Sequence, residues 1–359
     1  MPGNRSDVES FKYITAGWDS VSPEFIALVI VGAIWPGFIK NVLVGLYSRP
    51  TFSRNTPFWL KVVLDFCMTI LPAELLVTLW NTKAFQFLII ICACAAILIA
   101  WKIRKGRLYP AGKVLFLEAK VEFPSRISYS RSYINILTAI SILAVDFPLF
   151  PAYFRKSRLY GTSLMDTGLG FYICSNAIVS PEARGIINTC SFRRVLKKAT
   201  VDTLPLIVLG ILRYTVMSSI GYHFTSNEYG RHWNFFFTLA TVKIGLYTLA
   251  LVLNVLSIII EAFVKHRWDD SNQLSDIFEQ KTNDNSDVLE AINYNGLVFF
   301  IIANIFTGLI NLTIDTSSKS DTIAFTILTS YMFTLSVIFV LLHKYKIRIK
   351  PLLVKFIKR

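Results

Sequence analysis

The sequence predicts an all-α protein whose helices cross a membrane, about nine to eleven times, and three observations carry that prediction. Hydrophobic residues make up 53% of the 359 positions and charged residues only 17%. Mean hydropathy is +0.51, whereas an average soluble chain is about one quarter charged. Apolar runs close to the ~20 residues that a helix needs to cross a bilayer recur along the chain, and most Lys and Arg lie between those runs. This balance excludes a disordered chain, a fibrous repeat and a secreted disulfide scaffold. A net charge of +14 on a soluble domain would suit nucleic acid. With its basic residues placed between apolar stretches, the charge reads instead as membrane orientation, and no nucleic-acid partner is expected.

Nine stretches qualify as spans: residues 25–46, 58–80, 84–101, 132–150, 163–180, 199–217, 234–263, 295–314 and 322–342. The segment 107–117 is ambiguous and 234–263 is long, which sets the upper bound of eleven. The polar start carries Asp7, Glu9 and Asp19 and has neither a basic beginning nor a small-residue cleavage site. The first span is therefore expected to be a retained helix. A single membrane domain over residues 25–342 is expected, between a non-cytoplasmic segment 1–24 and a basic cytoplasmic tail 343–359. Placing 102–131 in the cytoplasm assigns 25 of the 37 Lys and Arg to that side and 8 to the other, with Lys40, Lys61, Arg213 and Lys243 inside spans. One loop runs against the trend: Arg155, Lys156 and Arg158 gather on the non-cytoplasmic side, where basic residues should be scarce.

Ionisable residues inside spans need partners or a function, because one at a helix centre costs roughly 2.5–3.5 kcal/mol on insertion scales. Lys61 and Asp65 stand four apart, which allows an ion pair on one helical face. Asp202 and Arg213 are expected to meet other helices. The five cysteines, Cys67, Cys92, Cys94, Cys174 and Cys190, are odd in number and lack metal-ligand spacing. They are expected to be small buried apolar residues rather than a zinc site or a disulfide framework, and no metal is expected.

Asp146 stands out by its surroundings. The run Leu143-Ala144-Val145-Asp146-Phe147-Pro148-Leu149-Phe150-Pro151 ends a hydrophobic span on a carboxylate, and two prolines then break the helix. Lys156 follows in the anomalous basic loop. Next comes Gly161-Thr162-Ser163-Leu164-Met165-Asp166-Thr167-Gly168-Leu169-Gly170, where Thr162 or Ser163 is placed to cap the next helix and Gly168 and Gly170 leave room for close packing. Taken plainly, this is a helix-turn-helix with an interfacial salt bridge.

The stretch 142–180 resembles the signature of the GPI-anchor inositol acyltransferases of the endoplasmic reticulum, whose pattern runs LAVDFP-x-FP, then F-x-K, then GTSLMD-x-G-x-G. Two further segments are similar to the family, in the family's order: Glu228-Tyr229-Gly230-Arg231-His232-Trp233-Asn234-Phe235-Phe236-Phe237, and Asn295-Gly296-Leu297 leading to Ala303-Asn304-Ile305-Phe306-Thr307-Gly308-Leu309-Ile310-Asn311. Lys12-Tyr13-Ile14-Thr15-Ala16-Gly17 is a weaker match. Family members are longer, and their segment after the His-Trp-Asn-Phe motif is replaced here by the polar run 265–290.

The resemblance implies transfer of a long acyl chain, palmitoyl in type, from acyl-coenzyme A to the inositol 2-hydroxyl of glucosaminyl-phosphatidylinositol, a membrane lipid, within the endoplasmic reticulum membrane. Acyl-coenzyme A is then a co-substrate, and no other cofactor is implied. A secondary hydroxyl needs a base as it attacks a thioester, and Asp146 is the first candidate. Lys156 is the natural cation, to pair with Asp146, to stabilise the oxyanion or to hold a phosphate. His232 is the alternative base. Arg155 and Arg158 are candidates for phosphate, the more so because the family's paired arginines after the second Phe-Pro are Ala152 and Tyr153 here. Asp166, Asn234, Asn304 and Asn311 are the remaining candidate substrate contacts. No nucleophile elbow is present, so direct transfer without an acyl-enzyme is expected. The competing class, a transporter of lipid or small solutes, lacks a visible inverted repeat.

Overall fold

The computed structural model describes residues 21–47, 57–104, 123–157, 162–179, 192–220, 233–263 and 288–349. Among the described residues ten α-helices follow one another, with two 3-10 turns: α1 (Pro23–Tyr47), α2 (Phe58–Val77), the turn Asn81–Lys83, α3 (Ala84–Arg104), α4 (Phe123–Ala144), the turn Ala152–Phe154, α5 (Leu164–Ile178), α6 (Phe192–Ile220), α7 (Phe235–Phe263), α8 (Val288–Tyr294), α9 (Gly296–Thr313) and α10 (Asp321–Lys344). No strand occurs among the described residues. Nine helices overlie the nine apolar stretches. The short α8 was not anticipated, because it closes a polar run with a single pair of turns. The ambiguous segment 107–117 lies outside the described residues.

Among the described residues, three helical segments are long and apolar enough to cross a membrane by length and composition: Asn81–Trp101, Gly296–Thr313 and Asp321–Lys344. Several of the others carry charges that lower their hydropathy, and two of these are matched between helices, Lys40 with Asp65 and Lys243 with Asp202. Large apolar side chains face outward: Ile90 and Ile97 on α3 are 60% and 66% exposed, and Leu312 on α9 is 62% exposed. Water does not favour such faces and lipid does.

The chain divides into two compact units. The first comprises residues 1–168 and 282–359, the second 169–281. In the first unit, α4 packs on α2, α8, α9 and α10, and α1 packs on α2 and α3. The buried side chains recur at helical spacing, as in Ile136, Ala139, Ile140 and Leu143 on α4, or Leu328, Met332, Leu335 and Phe339 on α10. Tyr331 joins three helices at this core, its hydroxyl donating toward the carbonyls of Ala303 (3.2 Å) and Ala139 (3.4 Å). Gly37 lets α1 lie close to α4, because a Cβ there would collide with the Tyr133 hydroxyl.

Polar ties hold the opposite end of this unit from Asp146. Asp65 pairs with Lys40 of α1 at 2.8 Å and accepts from the Val288 amide of α8. The carboxylate expected to serve Lys61 on its own helix thus bridges three helices. Asn295 accepts from the Ile349 amide and donates to the Ile347 carbonyl (2.9 Å), pinning the segment after α10.

In the second unit, α6 packs against α7. Asp202 accepts from Lys243 (3.3 Å) and from the Tyr247 hydroxyl (2.8 Å), so it meets another helix as expected. Two other expectations fail. Cys67, Cys94 and Cys174 are exposed and Cys92 is half-buried. On lipid-facing helices an apolar thiol need not be buried to avoid water, which is why the soluble-protein rule misplaced them. Likewise, a Cβ at Gly168 or Gly170 would meet nothing within 4 Å among the described residues, so close packing does not account for these glycines.

Candidate functional site

Asp146 sits just past the end of α4. The helix ends in tightening turns, with the Asp146 amide donating to Leu143 and the Phe147 amide to Ala144. Pro148 and Pro151 then prevent further helix. Phe147, Phe150 and Phe154 anchor the following loop in the core, each at most 1% exposed. Phe25 of α1 stacks on Phe154 with ring centroids 6.1 Å apart. These aromatic residues anchor the loop, in which Asp146, Arg155 and Lys156 are half-buried.

The Asn311 side chain, near the end of α9, donates its amide to Oδ2 of Asp146 at 2.7 Å. The partners lie 165 residues apart, in two different motifs. A carboxylate can only accept, so this contact orients the amide and aims the Asn311 Oδ1 elsewhere. That oxygen is buried without a hydrogen-bond donor. Asn304 stands two turns earlier on α9 and turns its amide onto the Phe300 carbonyl of its own helix (2.7 Å).

Asp166 ties the basic loop to the start of α5. Its Oδ2 accepts from the Ser157 amide (3.0 Å), the Ser157 hydroxyl (2.7 Å) and the Ser163 hydroxyl (2.8 Å). Ser163 in turn accepts from the Asp166 amide (3.1 Å), so Ser163-x-x-Asp166 caps α5 at both ends of the motif. Ser157 directly follows Arg155 and Lys156, and the clamp therefore sets where those cations stand. Below them, the Tyr153 hydroxyl donates to Asn81 Oδ1 (2.6 Å), and Asn81 donates to the Thr78 carbonyl. Burial pushes the Tyr153 pKa up.

Asn234 belongs to the second unit. Its Oδ1 accepts from the amides of Phe236 (3.0 Å) and Phe237 (3.2 Å), and its amide donates to the Gly210 carbonyl (2.8 Å). It is thus the N-cap of α7 and a tie to α6. His232 and Arg158 lie outside the described residues. Sequence reasoning singled out Asp166 and Asn311, as candidate substrate contacts, without their protein partners. It missed Ser157 and Asn81, whose types are too common in loops to signal anything without their partners.

The fold is that of a polytopic helical membrane protein, in which the Asp146 carboxylate and the Asn311 amide meet at one end of a helix bundle. The chain belongs to the GWT1 family, whose model matches residues 20–265 and 246–342. It is 36% identical over 224 residues to the human glucosaminyl-phosphatidylinositol-acyltransferase PIGW, covering 59% of this chain and 44% of that protein. It is 33% identical to the mouse protein of the same name over 225 residues, 60% of this chain and 45% of that one. Against the GPI-anchored wall transfer protein 1 of Kluyveromyces lactis it is 32% identical over 208 residues, 57% of this chain and 46% of that one. The chain thus aligns with less than half the length of each of these relatives.

Proposed function

We propose that this chain is a membrane O-acyltransferase that moves a long-chain acyl group from acyl-coenzyme A to the inositol 2-hydroxyl of glucosaminyl-phosphatidylinositol, as a step of GPI-anchor biosynthesis. The observation that carries the reading is the 2.7 Å bond between Asn311 and Asp146, which joins two distant family motifs at one carboxylate. The names of the relatives supply the substrate class.

In this reading Asp146 accepts the proton of the inositol hydroxyl as its oxygen attacks the thioester carbonyl. Asn311 holds Oδ2 of that carboxylate and so fixes its orientation. Negative charge develops on the carbonyl oxygen, and the cations of the loop, Lys156 first and Arg155 beside it, are assigned to stabilise it. Collapse breaks the carbon–sulfur bond, and the proton held by Asp146 passes to the coenzyme A thiolate. Arg155 and Arg158 are assigned to phosphate, Asn304 to acyl or sugar oxygens, and His232 stands as the alternative base. Asn234 acts by capping α7. The charge pattern of the loops assigns the Asp146 end to the lumen of the endoplasmic reticulum and the carboxy-terminal tail to the cytoplasm.

The test is transfer of labelled palmitoyl from coenzyme A to glucosaminyl-phosphatidylinositol by the purified chain in detergent. Asp146→Asn keeps the shape and removes the base, so a folded variant is expected to lose activity by at least about a hundredfold. Full activity in that variant would move the base to His232. No transfer by the folded, unaltered chain would overturn the reaction.

A further inference from the structure

A groove of about 420 Å³ lies between α9 and α10 in the first unit. Phe306, Leu309 and Ile310 of α9 form one wall, and the short side chains of Thr326, Ser330 and Thr334 form a floor along one face of α10. Each floor hydroxyl donates to the carbonyl four residues back on its own helix, at 2.8 Å in all three cases. Tyr331, also in the lining, turns its hydroxyl into the core. The floor hydroxyl hydrogens are thus engaged within the helix, and the lining is mostly apolar. Such a lining suits a hydrocarbon chain and rejects a polar one.

The position of the groove narrows the source of that chain. Its long side is open, since Leu309, Thr326 and Thr334 are exposed, and the flanking Leu312, Ile323 and Phe333 are exposed apolar residues. It is therefore continuous with the lipid-facing surface, and a chain already lying in the bilayer enters sideways. Thr326 and Thr334 are eight residues apart, about 12 Å along the helix, with the upper end about 7 Å below Asp321. That depth fits one leaflet of a bilayer whose hydrocarbon is about 30 Å thick. Leu309 and Ile310 lead directly into Asn311, the partner of Asp146. A lipid with its tail in this groove has its headgroup at that end.

We propose that the α9–α10 groove binds an acyl tail of the phosphoinositide acceptor, loading it from the bilayer with the inositol toward Asp146. The proposal rests on the acyl-transfer reading for the identity of the lipid. In the test, the full chain in nanodiscs is exposed to a phosphatidylinositol with a photoreactive acyl chain, and the labelled residues are mapped by mass spectrometry. Label is expected on residues 306–310 and 326–334, displaced by phosphatidylinositol and not by phosphatidylcholine. Ser330→Trp, which fills the floor, should lower it about tenfold, the loss expected when two methylenes are shut out. Ser330→Leu should act in the same direction and covers the case of a misfolded Trp variant. Label spread evenly over the helices, equal displacement by phosphatidylcholine, or no effect of either variant would each overturn the proposal. In the enzymatic arm, Ser330→Trp should raise KM about tenfold for a long-chain acceptor and leave transfer to a dihexanoyl acceptor unchanged. Equal impairment of both acceptors would overturn it. Should the intact chain transfer no acyl group, the reaction fails while the labelling still decides the groove.

Discussion

Replacing Asp166 by Ala isolates the clamp that carries the basic loop. The substitution removes one acceptor that serves three donors, namely the Ser157 amide, the Ser157 hydroxyl and the Ser163 hydroxyl. Each such bond contributes about 1 kcal/mol net, and water reaches the half-buried Ser157 to make good part of the loss, so the expected cost is about 2 kcal/mol. The Ser163 hydroxyl still accepts from the amide of residue 166, which preserves the helix cap. For a unit of this size, about 2 kcal/mol lowers the midpoint of thermal unfolding by roughly 5 °C. Because Lys156 precedes Ser157, kcat should also fall about tenfold, the scale on which misplaced groups lose rate. Asp166→Asn keeps an acceptor oxygen and should recover at least half of both losses. The assay is unfolding in detergent by intrinsic fluorescence, run beside acyl transfer on the same preparations. A variant with lowered stability and unchanged kcat would refute the link between clamp and chemistry. Asn behaving as badly as Ala would refute the hydrogen-bond account of the clamp itself.

Further expectations follow from the packing. Gly37→Ala forces a Cβ against the Tyr133 hydroxyl, and the resulting separation of α1 from α4 should destabilise the unit by roughly 1–3 kcal/mol, read as a lower unfolding midpoint. Lys40→Met removes the cation 2.8 Å from Asp65, whose side chain is only 16% exposed, at a cost of about 2 kcal/mol. Adding Asp65→Leu should restore most of that, and a double variant no more stable than Lys40→Met would count against the ion pair. Asn234→Ala removes the cap of α7 and the tie to Gly210, for about 1–2 kcal/mol, and should appear as faster amide exchange in the first turn of α7.

Much of this protein was legible from sequence because the bilayer imposes simple rules. The need for about 20 apolar residues per crossing places the helices. Pro148 and Pro151 mark the end of α4, and Ser163-x-x-Asp166 marks the start of α5, since caps and breakers act locally. Asp146 could be singled out as well, because a carboxylate at the end of an apolar run is expensive enough to need a reason.

Partnership over long distance was not legible. Asp65 has a lysine four residues away on its own helix, and only the fold brings Lys40 of the neighbouring helix to 2.8 Å from it. Asp166 carries the spacing of a helix cap, and only the path of the preceding loop brings Ser157 onto the same oxygen. Nothing within 100 residues of Asp146 suggests Asn311. The exposed cysteines were misjudged because burial in a membrane protein is not opposed to lipophilicity. Sequence by itself determined the helices, their caps and the residues too polar to be idle, since each of these depends on neighbours along the chain. The tertiary structure alone decided which of those polar residues meet, because a hydrogen bond acts over about 3 Å and the chain must first fold to bring its ends within that range.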